Sequence, residues 1–313
     1  MLRPCFGLAL IILGTLSPSR AADKGGGAPP LAVPAWLFPG EGSASPGDPP
    51  DWPEDNPFRV KDWHPATHPP MPPIVSAGRA PDVFACGYCH LPDGSGRPEN
   101  ASVAGLPAAY IERQIQAFIS GARRSAAPSE LAPTHYMIET VRHATAAELA
   151  TAAGYFAELS FPRKVRVVEA GVIPRPRVRE FLYFLDTGGA RERLGRRLIE
   201  APLDPAAHAR HDGAARYIAY VPIGSLARGR ALAAAGPGGP ATACILCHGA
   251  GLHGGPTATP LAGRSPSGLM RQLLAFRNGA RVGPIADLMR PVVANLTIDD
   301  MIALSAYAAA SAP

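Results

Sequence analysis

One unit is written twice along this chain. Cys86-Gly-Tyr-Cys89-His90 returns 158 positions later as Cys244-Ile-Leu-Cys247-His248, and the offset persists beyond the motif. Gly96 meets Gly254 and Pro98 meets Pro256. The segment 104–123 lies on 262–281, pairing Arg113 with Arg271, Gln114 with Gln272, Phe118 with Phe276 and Gly121 with Gly279. After six extra residues in the first copy, 137–159 lies on 289–310, so that Met137 meets Met289, Thr145 meets Thr297 and Tyr155 meets Tyr307. Two copies of a unit of about 80 residues are too few for a solenoid.

Each copy reads as helical. Ile111, Ile115 and Phe118 share a face at helical spacing, as do Leu269, Leu273 and Phe276, and Gly121 and Gly279 stop those helices. Thr145 with Glu148, and Thr297 with Asp300, carry the signature of a capped last helix, followed in the first copy by the stripe Leu149, Ala152, Phe156. A short helix is expected to carry each Cys-x-x-Cys-His. Three helices joined by Gly/Pro loops make a thin core, which a large apolar ligand would complete.

Two regions stand outside the repeat. Residues 22–79 form a Pro/Trp-rich arm; fourteen prolines fall between 22 and 80, with Trp36, Trp52 and Trp63. The prolines argue against helix or sheet there, and the indole rings for an extended strap packed on the rest. Residues 161–226 form a basic connector, with twelve Arg or Lys against seven Asp or Glu, and its Val/Ile/Phe/Tyr runs read as short strands. The net charge of +5 is accounted for by that segment. It fits a solvated face or an acidic partner, and no nucleic-acid motif accompanies it. The first 21 residues, MLRPCFGLALIILGTLSPSRA, read as a cleaved secretory signal, too short for a comfortable membrane span. The expected location is the periplasm, with membrane contact peripheral or through a partner.

Losing the leader removes Cys5 and leaves four cysteines, Cys86, Cys89, Cys244 and Cys247, all in the two motifs. Zinc held by four thiolates would need two pairs 154 residues apart to meet, although each pair belongs to its own repeat. A redox dithiol would want a βαβ context that is absent. Cys-x-x-Cys-His is the attachment site of c-type haem: two thiols form thioethers on the porphyrin edge, and the next residue offers its imidazole to iron. Two covalently bound haem c groups are therefore expected, with His90 and His248 as one axial ligand each. Met137 and Met289 occupy equivalent places, read as loops, eight residues before the capping Thr, and are the opposite ligands; a gap-filling core thioether is the plain alternative. His135, His143 and Met71 (beside His64 and His68) are rival ligands for the first centre only, and Met270 and Met301 read as core.

The order Cys-x-x-Cys-His, Gly/Pro loop, Arg-Gln-x-x-x-Phe-x-x-Gly-Ala-Arg, Met and Thr-capped helix resembles the small class I cytochromes c. The tandem is similar to di-haem carriers of the bacterial periplasm. The resemblance covers about 80–160 and 227–313, and the arm and connector depart from it. The fold class is then mainly α: two tandem cytochrome c domains, 80–160 and 227–313, with a small β-containing connector (161–226) and the N-terminal arm. It implies that Pro98 and Pro256 offer carbonyls to the axial imidazoles. It also sets Arg123 and Arg281 beside haem propionates, with solvated loop-end arginines as the other reading. Met/His ligation raises the reduction potential and closes both axial positions, which suits electron transfer rather than catalysis. The expected role is a non-enzymatic electron carrier, receiving electrons from a dehydrogenase or quinol-oxidising complex and passing them to a terminal oxidase or reductase. A permanent haem subunit of such a complex, and a di-haem peroxidase or oxidase with one open centre, are the alternatives.

Overall fold

A computed structural model describes residues 29–40, 55–127, 132–179, 181–255 and 258–313. The expected leader with Cys5, Trp52 of the arm, and Pro256 lie outside the described residues. The arm contains helical turns after all: 3-10 turns at Ala35–Leu37 and Pro65–Thr67, and a one-turn helix α1, Pro73–Ser76. The expectation that proline excludes helix there is corrected by position. Pro65 and Pro73 stand at the first residue of their turns, where the missing N–H has no helical acceptor to lose.

The first repeat copy follows as α2 (Cys86–His90), α3 (Ala108–Ile119), α4 (Ala132–His143) and α5 (Ala146–Glu158). Ile111 and Ile115 of α3 meet Leu149, Ala152 and Phe156 of α5 in one cluster, which Ile74 and Val75 of α1 complete. Thr145 caps α5 reciprocally: Glu148 N donates to its hydroxyl (3.2 Å), and its own N–H donates to the Glu148 carboxylate (2.7 Å). Gly121, at φ 76°, takes the left-handed turn that ends α3.

The connector folds as β1 (Val165–Glu169), β2 (Val172–Pro174), β3 (Pro176–Arg179), β4 (Leu182–Leu185), β5 (Arg191–Arg193), β6 (Ile199–Pro202), α6 (Pro205–Ala209) and β7 (Tyr217–Val221). β7 is central in a three-stranded sheet, parallel to β1 and antiparallel to β6; β2–β5 and β3–β4 are antiparallel pairs. β7 is buried at all but one residue, which explains its uninterrupted apolar stretch, and β6 is buried throughout although it carries Glu200.

The second copy comprises α7 (Ser225–Ala235), α8 (Cys244–His248), α9 (Pro266–Arg277), α10 (Arg290–Val293) and α11 (Ile298–Ala310). Thr297 caps α11 with Asp300 as Thr145 caps α5. The expected α9 face of Leu269, Leu273 and Phe276 is only partly buried, whereas Met270 and Leu274 are fully enclosed. The arm supplies the reason: Leu37 packs in the same cluster, and Leu31 and Asn278 exchange two hydrogen bonds of 2.9 Å. α7 crosses α11 at Gly229, where a Cβ would meet the Ala303 carbonyl and lie 2.7 Å from Tyr307 Cβ.

A buried polar cluster joins connector to first copy. His208 of α6 lies 8 % exposed, with Nδ1 3.2 Å from the Tyr217 hydroxyl and Nε2 3.7 Å from Glu99, which also faces Arg97. Burial pushes the His208 imidazole down to about 4 despite Glu99.

Two outcomes follow. Gly229→Ala should destabilise the holoprotein in denaturant by about 2 kcal/mol, since the crossing backbone must move. Gly154→Ala in α5, with open space around it, should be neutral or stabilising by up to ~1 kcal/mol. For His208, the unfolded chain takes up a proton near pH 6.5 and the folded one only near 4. Stability is therefore full above the first value and declines as pH falls towards the second. The thermal midpoint should drop through that window, and His208→Phe should flatten the decline, with the remaining slope coming from other groups such as His211, which burial also holds low.

Candidate haem centres

Each motif forms one helical turn entered from an extended residue, Ala85 or Ala243. Three residues of spacing put Cys86 and Cys89, and likewise Cys244 and Cys247, on one side of the turn, and the histidine follows about 100° further round. The chain then leaves through a left-handed φ at Leu91 (65°) and at its repeat partner Gly249 (77°).

The imidazoles are held alike. His90 Nδ1 donates to the Ala101 carbonyl at 2.7 Å, and His248 Nδ1 to the Thr259 carbonyl at 2.8 Å. Ala101 and Thr259 are themselves repeat partners, three residues beyond the expected acceptors. Pro98 is thus corrected: Arg97 and Asn100 exchange backbone hydrogen bonds in a tight turn that carries Pro98 aside, and its carbonyl accepts from Arg271 Nη1 (2.8 Å). Because a backbone carbonyl can only accept, Nδ1 carries the proton and Nε2 keeps its lone pair. Burial favours the neutral ring, lowering both His90 and His248 from the ordinary imidazole value.

All four thiols are free. Burial pushes Cys86 up to about 12 and raises Cys89 and Cys244 from the usual thiol range, the reverse of an activated redox dithiol. Among the described residues, no three His, Cys, Asp or Glu side chains gather into a metal cluster, so the two Cys pairs do not form a shared zinc site.

Met137 lies within α4, and Met289 closes a 3-10 turn, Ala286–Met289, that runs into α10. The expected loops are therefore helical. Pro291 sits at the start of α10, where proline is tolerated, and divides the second stretch from the preceding turn. Both thioethers are half-buried against the core of their own copy. The rivals are engaged elsewhere or exposed: His64 on Asp212 (2.6 Å), His68 beside the Tyr155 hydroxyl (3.1 Å), His143 on the Glu139 carbonyl (2.8 Å), and His135 exposed. Met71 packs on the first core, and Met270 and Met301 are fully buried. In each copy, two free thiols one turn apart, an imidazole with Nε2 available and a half-buried thioether make a donor set whose chemistry fits haem c.

The two copies meet at Arg123 and Arg281, which face each other as an antiparallel bridge; Arg124 N donates to Ala280 O (2.8 Å) and Val282 N to Ala122 O (2.9 Å). Arg123 donates to Gln114 (3.0 Å) and Gln272 (3.1 Å), and Arg281 to Gln272 (2.8 Å) and Gln114 (2.7 Å). Each guanidinium thus holds its own copy's amide and the other's, and lies over its own copy's Phe118 or Phe276. Among the described residues no carboxylate pairs with either. Burial and then the like charge of Arg281 disfavour the charged form of Arg123. Although burial alone would raise it, Arg281 and Arg123 together bring the neighbouring Tyr110 phenol below its ordinary value. Sequence spacing paired these arginines but gave no sign of the exchange with glutamine.

No family model matches the chain. It is 26 % identical over 244 residues, 76 % of this chain and 83 % of the relative, to a thiosulfate dehydrogenase electron acceptor from Thiomonas intermedia (strain K12). Among solved structures it aligns with the thiosulfate dehydrogenase TsdBA of Marichromatium purpuratum in its as-isolated form, at 27 % identity and TM-score 0.48, over 74 % of this chain and 37 % of that one. It also aligns with cytochromes c4 of Acidithiobacillus ferrooxidans (19 %, TM-score 0.46, 72 % and 98 % covered) and Pseudomonas stutzeri (22 %, TM-score 0.46, 72 % and 93 % covered).

Gln114→Leu removes an acceptor from both guanidiniums and leaves two N–H groups unmatched. The expected loss in urea unfolding of the holoprotein is about 1–3 kcal/mol. Gln272→Leu should cost a similar amount, and the double variant should depart from additivity, since the two sites share both arginines.

Proposed function

We propose that the protein is a di-haem electron-transfer cytochrome that accepts electrons from a dehydrogenase and hands them to a further redox partner. Cys86, Cys89, His90 and Met137 would hold one haem c, and Cys244, Cys247, His248 and Met289 the other. The observation that carries this reading is the recurrence, at the same repeat offset, of an imidazole whose Nδ1 is fixed on a backbone carbonyl directly behind two free thiols. When bound, haem c supplies a one-electron iron couple. The chain's own share is to orient the imidazole through Ala101 or Thr259, to keep that ring neutral by burial, and to offer a thioether from the core. Arg123 and Arg281, cationic and without carboxylate partners among the described residues, suit the propionates at the seam between copies, and each still has N–H groups beyond those given to the glutamines.

The relative described as a thiosulfate dehydrogenase electron acceptor supports a thiosulfate-oxidising dehydrogenase as donor. Residues 1–21, read as an export signal, put the exchange in the periplasm. A carrier of this kind meets partners briefly over a small area.

Protein matured with haem-attachment machinery should contain two covalent porphyrins, low-spin in both oxidation states. Met137→Ala and Met289→Ala should each lower the midpoint potential of one centre, by on the order of 0.1 V within the roughly 0.8 V that axial ligands span, and render that centre high-spin. Absence of covalent porphyrin, or midpoints and spectra untouched by both substitutions, would refute the assignment. Stopped-flow reduction by a thiosulfate dehydrogenase with thiosulfate tests the donor.

A further inference from the structure

The two motifs are equivalent in sequence but not in what covers them. In the first, the arm is stapled over the turn. Ala85 N donates to Pro57 O (2.8 Å), Val60 N to Ser76 O (2.8 Å), and the Tyr88 hydroxyl to Asp55 (2.9 Å). The Tyr88 ring lies 4.5 Å from His211 of the connector, tilted by 56°, and Gly87 is so close to α1 that a Cβ would lie 2.8 Å from the Val75 carbonyl. Phe58 of the arm continues the cover onto Phe84 (5.2 Å between centroids), which meets Tyr136 (5.6 Å), the residue before Met137.

In the second, the corresponding N–H, that of Ala243, is held by Pro240 of its own 3-10 turn (3.1 Å). Leu246, the partner of Tyr88, is 66 % exposed; Leu288, the partner of Tyr136 before Met289, is 69 % exposed, and Ile285 is 53 % exposed. Cys244 and Met289 pack on one core cluster, so these bare side chains flank a single centre. The charges closest in sequence, Asp287 and Arg290, pair with each other at 3.1 Å. The face is apolar and locally neutral. Its counterpart in the first copy is in part an interface already: the chain's own arm lies over Tyr88, while Tyr136 keeps 48 % exposure.

We infer that electrons pass between this protein and its partners through the second copy, at the face marked by Leu246, Ile285 and Leu288, and that its occupant is a redox protein with an uncharged, apolar contact patch. The first centre, the more covered of the two by arm and connector, exchanges electrons through the second. This rests on the di-haem reading above. Ile285 and Leu288 stand one turn apart, apolar side chains exposed together mark contact sites, and weak electron-transfer encounters need little area.

The test uses the di-haem holoprotein and, as probe, a small reduced copper electron carrier whose contact face is apolar and uncharged. Leu246→Asp and Leu288→Asp should each slow reduction about tenfold, with haem content and both midpoints at parental values. Leu288→Asp serves by itself if Leu246→Asp impairs attachment. Tyr136→Asp, the first-copy counterpart, should change the rate by less than about twofold, as should raising salt from low to physiological strength. Equal slowing by Tyr136→Asp, no slowing by either leucine variant, or a steep salt dependence would overturn the inference. A dimer in sedimentation velocity that Leu246→Asp dissolves would give the face to a second copy and overturn it as well. A protein without porphyrin absorbance fails at the first spectrum, which identifies the di-haem reading, rather than the docking face, as the part at fault.

Discussion

An imidazole has two nitrogens, and in both copies the backbone has already claimed one. Ala101 and Thr259 take the Nδ1 proton of His90 and His248. That choice dictates the tautomer, aims the other lone pair, and ties the ring to the loop that follows the motif. The short helix, the left-handed exit at Leu91 or Gly249, and the Gly96 or Gly254 N–H donated back to the histidine carbonyl (2.9 and 2.7 Å) all serve to bring that loop round. Free thiols behind such a ring have little structural purpose without a group to hold.

The second constraint is charge. Two guanidiniums face each other across the seam with amides, aromatic faces and the Tyr110 phenol for company. Cations in that position repel, and burial removes the water that would screen them. The arrangement is tolerable because glutamine carbonyls are shared crosswise, and it becomes favourable when anions arrive. Loading the centres and closing the seam would then be coupled, if haem propionates neutralised the arginines that join the halves.

Much of this was legible as spacing. The motif, the Thr145 and Thr297 capping boxes, the left-handed glycines and the strands at 165–169, 182–185 and 217–221 each have a local cause, and each recurs or alternates in the sequence. What escaped was set by distance in space. Which carbonyl meets His90 depends on the turn between Arg97 and Asn100, and three residues of error cost the Pro98 assignment. β5, with arginine or glutamate at every position, has no apolar signature, and the one-turn helix α1 is hidden among prolines that happen to stand at its start. Nor does a pair of repeated Arg-Gln dipeptides reveal that one arginine is exposed and the other enclosed.

That last difference shows how a duplicated unit becomes asymmetric. Arg113 of α3 points away from any cover, whereas its partner Arg271 donates to Leu37 O (3.1 Å) in the arm and Pro98 O (2.8 Å) in the first copy, and lies over Phe38. Glu200, fixed by Ser265 and Ser267, and Glu99 supply the countercharge that favours its cationic form in this half-buried place. One repeat position thus ties the arm and the first copy to the second, whereas its counterpart Arg113 is exposed. Arg271 anchors the arm at Leu37 and Phe38 on the second copy, and residues 55–60 of the arm lie against the first motif. The arm thus touches both copies but lies over one motif, and the asymmetry of cover follows from where residues 55–60 find their hydrogen-bond partners.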